Sequence, residues 1–175
     1  MSQRPKLSWL LVAVAVVGID QYTKRLITAK FELFERLPVV PYFDLVRLHN
    51  TGAAFSFLAN ASGWQNWFFT GVAVAVSALI LWWFFRQPAD RLVVPLGLVM
   101  VLGGAIGNLI DRFQQGYVVD FFLFHYERWS FPAFNVADSA ITVGVFLLLF
   151  DGFFLEGRRL RQAAASTGVT ASNGQ

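Results

Sequence analysis

The 175-residue sequence contains no cysteine and few charged residues. Without cysteine, disulfides, thiolate nucleophiles and cysteine-ligated metal sites are excluded within this chain. Charged residues make up 14% of the chain, against about a quarter in ordinary soluble domains. The formal charge of +3 is small and no lysine or arginine run is dense enough to bind nucleic acid, so no nucleic-acid partner is expected.

Apolar residues dominate instead. Hydrophobic residues make up 56% of the chain and include 19 phenylalanines and 6 tryptophans. Four apolar segments, at about 7–27, 64–85, 92–110 and 133–155, are long enough to cross a bilayer as helices. A cleaved signal peptide is an alternative for the first segment. Because three more apolar segments follow it rather than a soluble domain, we predict an uncleaved anchor.

These segments predict the fold class and the domain organisation. We expect an all-α membrane protein with four transmembrane helices and a small extracytoplasmic β-rich platform. The platform is assigned to about 28–63, where apolar and polar residues alternate as in short strands. Residues 1–162 form a single domain in this interpretation. The small polar residues of 163–175 predict a disordered cytoplasmic tail.

The distribution of lysine and arginine predicts the orientation. Equal numbers fall on the two sides of the predicted helices, but those of the N-terminus, the 86–91 loop and the tail are concentrated in shorter segments. Because basic residues favour the cytoplasmic side, both termini are placed in the cytoplasm. The segments 28–63 and 111–133 then lie outside.

Polar residues gather at the predicted outer ends of the spans. Asp20 and Lys24 are spaced i, i+4 with the acid first, the favourable order for a pair on one helical face. Gly104, Asn108 and Arg112 share a stripe on the third span. Ionisable residues in a membrane span are costly and are functional candidates by default, although an ion pair such as the first can also be purely structural.

Two further acids suggest a specific chemistry. Asp138 lies in the fourth span, three residues after Asn135, and has no basic residue within a turn on its own helix. Asp120, in the preceding loop, is 18 residues away, which is enough for the loop to fold back. Two close carboxylates share one proton, so that one can activate water while the other polarises a peptide carbonyl. The substrate would then be held at the outer edge of the bilayer.

Five motifs closely resemble lipoprotein signal peptidase, also called signal peptidase II. They are "DQYTK" from residue 20, "HNTGAAFSF" from 49, "GGAIGNLIDR" from 103, "GYVVDF" from 116 and "FNVADSAITVG" from 134. The resemblance covers roughly 7–155 with the motifs in order. It implies an aspartic endopeptidase of the bacterial inner membrane that cleaves prolipoproteins just before their diacylglyceryl-modified cysteine.

The resemblance also implies roles for individual residues. The catalytic pair carries over to Asp120 and Asp138, and Asp20 and Lys24 match a block that supports the fold. By the small size of their side chains alone, Gly52, Ala53 and Ala54 leave room for a backbone to pass. Other positions match the surroundings of the active site. They are Asn50, Gly104, Asn108, Arg112, Asn135 and Ala137.

Alternatives to a peptidase predict other features. In a small transporter or proton-relay protein, the carboxylates would lie near mid-bilayer with access from both sides. A membrane scaffold needs no pair of acids.

His49 and His125 lack the spacing of a metal site, so we expect structural roles for both and neither metal nor cofactor. Membrane lipids and prolipoproteins are the expected partners of a monomer with its active site near the outer, periplasmic face.

Overall fold

A computed structural model describes residues 7–51, 64–88, 91–157, 159 and 161, apart from the side chains of residues 65 and 66. Four long helices and a small sheet make up the described chain. The helices are α1 (Leu10–Lys30), α2 (Trp64–Phe84), α3 (Val93–Gln115) and α4 (Val136–Phe150). A short 3₁₀ turn (Leu7–Trp9) precedes α1, and a π-helical turn (Asp151–Leu155) continues α4. The strands are β1 (Arg36–Val40), β2 (Phe43–Asn50), β3 (Val118–Tyr126) and β4 (Trp129–Ser130).

Helix α3 is the centre of the helical part. It packs against each of the other three helices, most extensively against α4. About two thirds (67%) of its apolar span is buried inside the protein, against 22% for α2 and 17% for α4. The apolar side chains of α2 and α4 therefore face outward, as expected for helices surrounded by lipid.

Glycines allow the helices to approach closely. A Cβ on Gly144 would lie 2.6 Å from the carbonyl oxygen of Gly97, and one on Gly104 would overlap the carbonyl oxygen of Ala137. Gly103 faces α1 in the same way, 2.8 Å from the Cβ of Val16. Small residues at such crossings bring helix backbones together in membranes. The first turn of α4 is thereby held directly against α3.

Among the residues that the structure describes, three helices are long and apolar enough to cross a membrane, at Trp67–Phe84, Val93–Gln115 and Val136–Leu155. Helix α1 is long as well, but its second half carries the polar and charged residues of "DQYTKR". The helices differ from the predicted spans mainly at their ends. Helix α3 continues to Gln115, five residues beyond the predicted end at 110, and α4 begins at Val136 rather than at 133. The helical membrane-type fold with a small sheet agrees with the predicted class.

The antiparallel sheet has the order β1-β2-β3-β4, with β1 and β2 from the α1–α2 connection and β3 and β4 from the α3–α4 connection. The sequence prediction assigned the β-rich part to 28–63 alone and left Asp120 on a loop, whereas Asp120 lies in strand β3. The register pairs Leu48 with Asp120 and Asn50 with Val118. Asn50 at the end of β2 is therefore brought beside the carboxylate of Asp120.

Candidate active site

Asp138 lies in the first turn of α4, where the helix itself stabilises a carboxylate. Asn135 is the N-cap: its side-chain oxygen accepts a hydrogen bond from the Asp138 backbone N–H (2.9 Å), and Asp138 Oδ2 accepts one from the Asn135 N–H (3.3 Å). This reciprocal capping box satisfies two backbone donors that the helix start leaves open. The N-terminal end of the helix dipole also favours negative charge.

Asp120 is held by two amides. Asn50 Nδ2 donates to Asp120 Oδ2 at 2.9 Å, and Asn135 Nδ2 donates to Asp120 Oδ1 at 2.7 Å. The Asp120 side chain is almost fully buried, whereas Asp138 is half-buried. Both oxygens of Asp120 thus have a neutral donor, as a buried carboxylate requires.

Asn108 and Asn135 connect the two acids. Asn108 Nδ2 donates to Asp138 Oδ1 at 2.7 Å, and Asn135 Nδ2 lies 3.3 Å from Asn108 Oδ1. Each amide therefore turns its NH₂ group to one carboxylate of the pair. Asp120 from the sheet and Asp138 from α4 form one hydrogen-bonded cluster, which is the convergence that the sequence predicted.

A buried ammonium group from α1 contacts this cluster through Asn108. Lys24 Nζ lies 2.8 Å from Asp20 Oδ2, 3.0 Å from Asp111 Oδ2 and 2.9 Å from Asn108 Oδ1. These contacts use the three donors of an ammonium group. Asp20 Oδ1 also accepts from the Ala137 N–H (2.9 Å), and Asp111 Oδ2 accepts from the Val119 N–H (3.2 Å). Lys24 and its partners thereby connect α1, α3, α4 and β3.

Burial and charge set the ionisation of the pair. Burial, with the neighbouring charge of Asp138, raises the pKa of Asp120 to about 7, although donation by Asn50 and Asn135 opposes the shift. Near neutral pH the pair can therefore hold one proton, with Asp120 as its carrier. The Arg112 charge interacts with both Asp138 and Asp120, and its guanidinium lies 5.9 Å above the ring of Phe69.

Most of the sequence-predicted site residues lie in or beside this cluster. Gly104 and Ala137 form the α3–α4 contact immediately next to it. Gly52, Ala53 and Ala54 lie outside the described residues. Gln21, which donates to Asp111 Oδ1 at 2.7 Å, was not among the predicted site residues, and neither was Asp111. The i, i+3 spacing from Asn108 to Asp111 was the available signal.

The two histidines make structural contacts. The His49 ring stacks on Tyr117 with the ring centres 3.7 Å apart, and His125 Nε2 lies 3.2 Å from Asp44 Oδ1 at the far end of the sheet. Within the described part of the chain, no group of three or more histidine, aspartate or glutamate side chains is arranged to bind a metal ion.

A pocket of about 400 Å³ opens beside Asp138. Phe131, Phe134, Thr142 and Val143 line it together with Asp138. Its size lies within the range of about 300–1,000 Å³ that is common for ligand pockets. The walls are largely apolar, so an apolar group can reach the more exposed acid of the pair from this side.

The fold and the site define a class of protein: a helical membrane protein with two carboxylates, one buried and one half-buried, joined by asparagine amides. Comparison with known proteins then identifies the family. The family model described as "Signal peptidase (SPase) II" matches residues 12–154. The chain therefore belongs to the signal peptidase II family and is a peptidase, as the resemblance of its motifs predicted.

Similar proteins include several lipoprotein signal peptidases. The chain is 47% identical over 157 residues to that of Acinetobacter baylyi, covering 90% of this chain and 88% of the relative. It is 50% identical over 152 residues to that of an Azoarcus species, covering 85% and 86%. A solved structure titled "Bacterial membrane enzyme structure by the in meso method at 1.9 A resolution" matches with a TM-score of 0.77 at 29% identity, covering 89% of this chain and 99% of the other.

We predict that replacing Lys24 with methionine strongly destabilises the protein. The change leaves the buried carboxylates of Asp20 and Asp111 without their cation, which typically costs about 3–5 kcal/mol. Thermal unfolding followed by circular dichroism in detergent measures the effect. Lys30→Met, which removes an exposed cation from the same helix, is the matched control and should unfold like the wild type. Equal midpoints for the two variants would show that the buried ammonium is dispensable.

Proposed function

We propose that this protein is a membrane aspartic endopeptidase that removes signal peptides from diacylglyceryl-modified prolipoproteins by cleaving just before the lipidated cysteine. Membership of the signal peptidase II family and the names of the similar proteins support this substrate class. The observation that carries the mechanism is the pairing of Asp120 and Asp138 through the amides of Asn108 and Asn135.

Asp120 and Asp138 divide the work of hydrolysis. Asp120, the more buried acid with the raised pKa, carries the shared proton and polarises the scissile carbonyl. Asp138 borders the apolar pocket and takes a proton from the attacking water. The water oxygen bonds to the carbonyl carbon while Asp120 protonates the carbonyl oxygen. When the C–N bond then breaks, Asp138 returns its proton to the leaving nitrogen and a proton from the diol goes back to Asp120.

Neighbouring polar groups position the substrate. Asn50 and Asn135 have amide donors directed at Asp120, close to where charge develops in the reaction. Arg112 Nε is buried and has no hydrogen-bond partner among the residues that the structure describes. Arg112 is therefore available to hold an oxygen of the substrate, either a backbone carbonyl or a lipid ester.

The proposal includes a membrane arrangement. Helix α1 serves as a fourth span in a single domain, with both termini in the cytoplasm and the sheet and the two acids at the outer face of the bacterial inner membrane. The exposed tryptophans of α2 support α2 as a span in this arrangement, because they lie near its two ends as in interfacial belts. They are Trp64, Trp67, Trp82 and Trp83. The protein acts as a monomer in contact with membrane lipids.

A transporter or proton relay fits the site less well. The paired acids lie at the ends of helices and on a sheet strand, not in the middle of a span. At the opposite end of α4, Asp151 is neutralised by a bidentate pair with Arg159, at 2.8 Å for each bond. The described residues thus place the paired acids at one end of the helices, with no chain of ionisable groups leading through them.

The first prediction of the proposed function concerns the acid pair, Asp120 and Asp138. Asp120→Asn and Asp138→Asn should each reduce cleavage of a diacylglyceryl-modified prolipoprotein by about 10²–10⁴-fold or more, because each removes one partner in proton transfer. Cleavage by the detergent-purified protein is followed by gel mobility, and folding by circular dichroism. Asp44→Asn, which alters a buried acid elsewhere in the sheet, should retain activity. A folded Asp120 or Asp138 variant with near-normal cleavage would refute the assignment.

The second prediction concerns the pH dependence. If protonated Asp120 is required, activity falls as the pH rises through about 7, the pKa of its carboxyl group. Asn50→Ala removes a donor that stabilises the ionised form, so the pKa should rise. The alkaline limb should then move to higher pH by about one unit, on the scale of a hydrogen bond to a charged group.

The pH profile of cleavage, measured at saturating substrate, gives the position of this limb. His49 is the nearest competing explanation, because it adjoins Asn50 and can itself titrate. Burial and the charge of Arg47 lower its pKa. His49→Phe keeps a ring against Tyr117 and should leave the limb in place. A limb that follows the His49 substitution, or that moves to lower pH in Asn50→Ala, would contradict the role of Asp120.

The third prediction concerns the apolar pocket. Val143→Trp should fill the pocket beside Asp138 and raise KM or abolish cleavage, because the substrate can no longer approach the acid. Val145→Trp is a matched control: the two valines are similarly exposed on α4, at 46% and 43%, and only Val143 lines the pocket. Steady-state kinetics on both variants measure the difference. Identical kinetics for the two variants would mean that the substrate does not use this pocket.

A further inference from the structure

The seam between α1 and α3 contains two hollows that the proposed peptidase mechanism does not use. One, of about 430 Å³, is lined by polar residues that include Arg25, Gln114 and Gln115. The other, of about 310 Å³, is lined by apolar residues that include Val14 and Leu102. Both hollows are formed by α1 and α3, whereas the pocket at Asp138 is formed by α4 and the segment before it.

The two hollows follow one another along the same face of α1. Val14 and Val17 line the apolar hollow, and Arg25 and Thr28 line the polar one. With Gln21 between them, these residues follow one another in steps of three or four, which keep side chains on one side of a helix. From Val14 to Arg25 the rise is about 16 Å at 1.5 Å per residue. The seam therefore has a long apolar part along the span and a polar part at its end, which is the shape of an amphiphile.

The polar hollow is lined by one cation, Arg25, that has no ion-pair partner among the described residues. Arg25 is exposed and makes no hydrogen bond or ion pair with the rest of the described chain. The one carboxylate in the wall, Asp111, is already satisfied by Gln21 on Oδ1 and by Lys24 on Oδ2. An anionic group entering the hollow thus meets Arg25 and the amide donors of Gln114 and Gln115.

We propose that the α1–α3 seam binds one phospholipid of the surrounding bilayer, with its phosphate at Arg25 and an acyl chain along Val14 and Val17. The phosphate complements the unpaired guanidinium, since arginine recognises phosphate by charge and directed hydrogen bonds. The apolar continuation distinguishes a phospholipid from free phosphate. The hollows are formed by α1 and α3 and not by the elements that line the pocket at Asp138, so the occupant proposed here is a lipid of the bilayer.

The test is native mass spectrometry of the full chain, purified in lipid-free detergent and titrated with phosphatidylglycerol. Arg25→Gln should weaken the first bound lipid by about tenfold, as expected for loss of one hydrogen bond to a charged group. Lys30→Gln removes a neighbouring exposed charge outside the seam and should bind like the wild type. Val14→Trp should fill the apolar hollow and weaken binding, whereas Leu11→Trp, equally exposed on α1, should not.

Two further ligands identify what the seam recognises. Diacylglycerol with the same chains lacks the phosphate, and glycerol 3-phosphate lacks the chains, so both should bind more weakly than phosphatidylglycerol. Equal losses in Arg25→Gln and Lys30→Gln would mean diffuse attraction to a basic helix end and would overturn the proposal. Equal binding by Val14→Trp and Leu11→Trp, or binding of glycerol 3-phosphate as strong as that of the phospholipid, would overturn it in favour of a free-phosphate site. Circular dichroism confirms that each variant is folded.

Discussion

The site depends on the ion pairs that the ammonium group of Lys24 makes with two buried carboxylates. The ammonium group is buried between Asp20 and Asp111 and also donates to Asn108. Buried charges are costly unless each is paired and hydrogen-bonded, and here the second oxygens of both acids are satisfied as well, by the Ala137 N–H and by Gln21. Loss of Lys24 leaves both buried carboxylates without a cation. The helices and the strand that supply these groups are therefore fixed relative to one another.

The same ammonium determines how the asparagine amides are turned. Because Lys24 can only donate, Asn108 must present its oxygen to it, and its NH₂ group then faces Asp138. Asn135 is oriented independently by the start of α4: its oxygen accepts from the Asp138 N–H, which leaves its NH₂ group for Asp120. Each of the two amides thus has only one satisfactory orientation. Because the helices fix these orientations, they also fix the positions of the paired acids.

Helical periodicity made much of this arrangement predictable. The stripe of Asn108 and Arg112, and the approach of Asn135 and Asp138, follow from spacing within single helices. Strand β3 was missed because "VVDFFLFHY" is apolar on both faces and does not alternate. The pairing of Asn50 with Asp120 depends on that strand's register with β2. The contact of Gln21 with Asp111 joins residues 90 positions apart. Periodicity is local, so it could indicate which faces are polar but not which groups meet across them.

The site separates its four acids into two pairs with different partners. Asp20 and Asp111 share a cation, whereas Asp120 and Asp138 are hydrogen-bonded mainly by neutral amides. A cation placed between the latter two would favour ionisation of both and would remove the shared proton. Neutral donors hold the carboxylates without that effect, and burial together with the charge of Asp138 outweighs the attraction of Lys24, so that the pKa of Asp120 is raised. The buried charge of Lys24, which is separated from Asp138 by Asn108, can therefore stabilise the fold. The two reacting acids still keep the proton that hydrolysis requires.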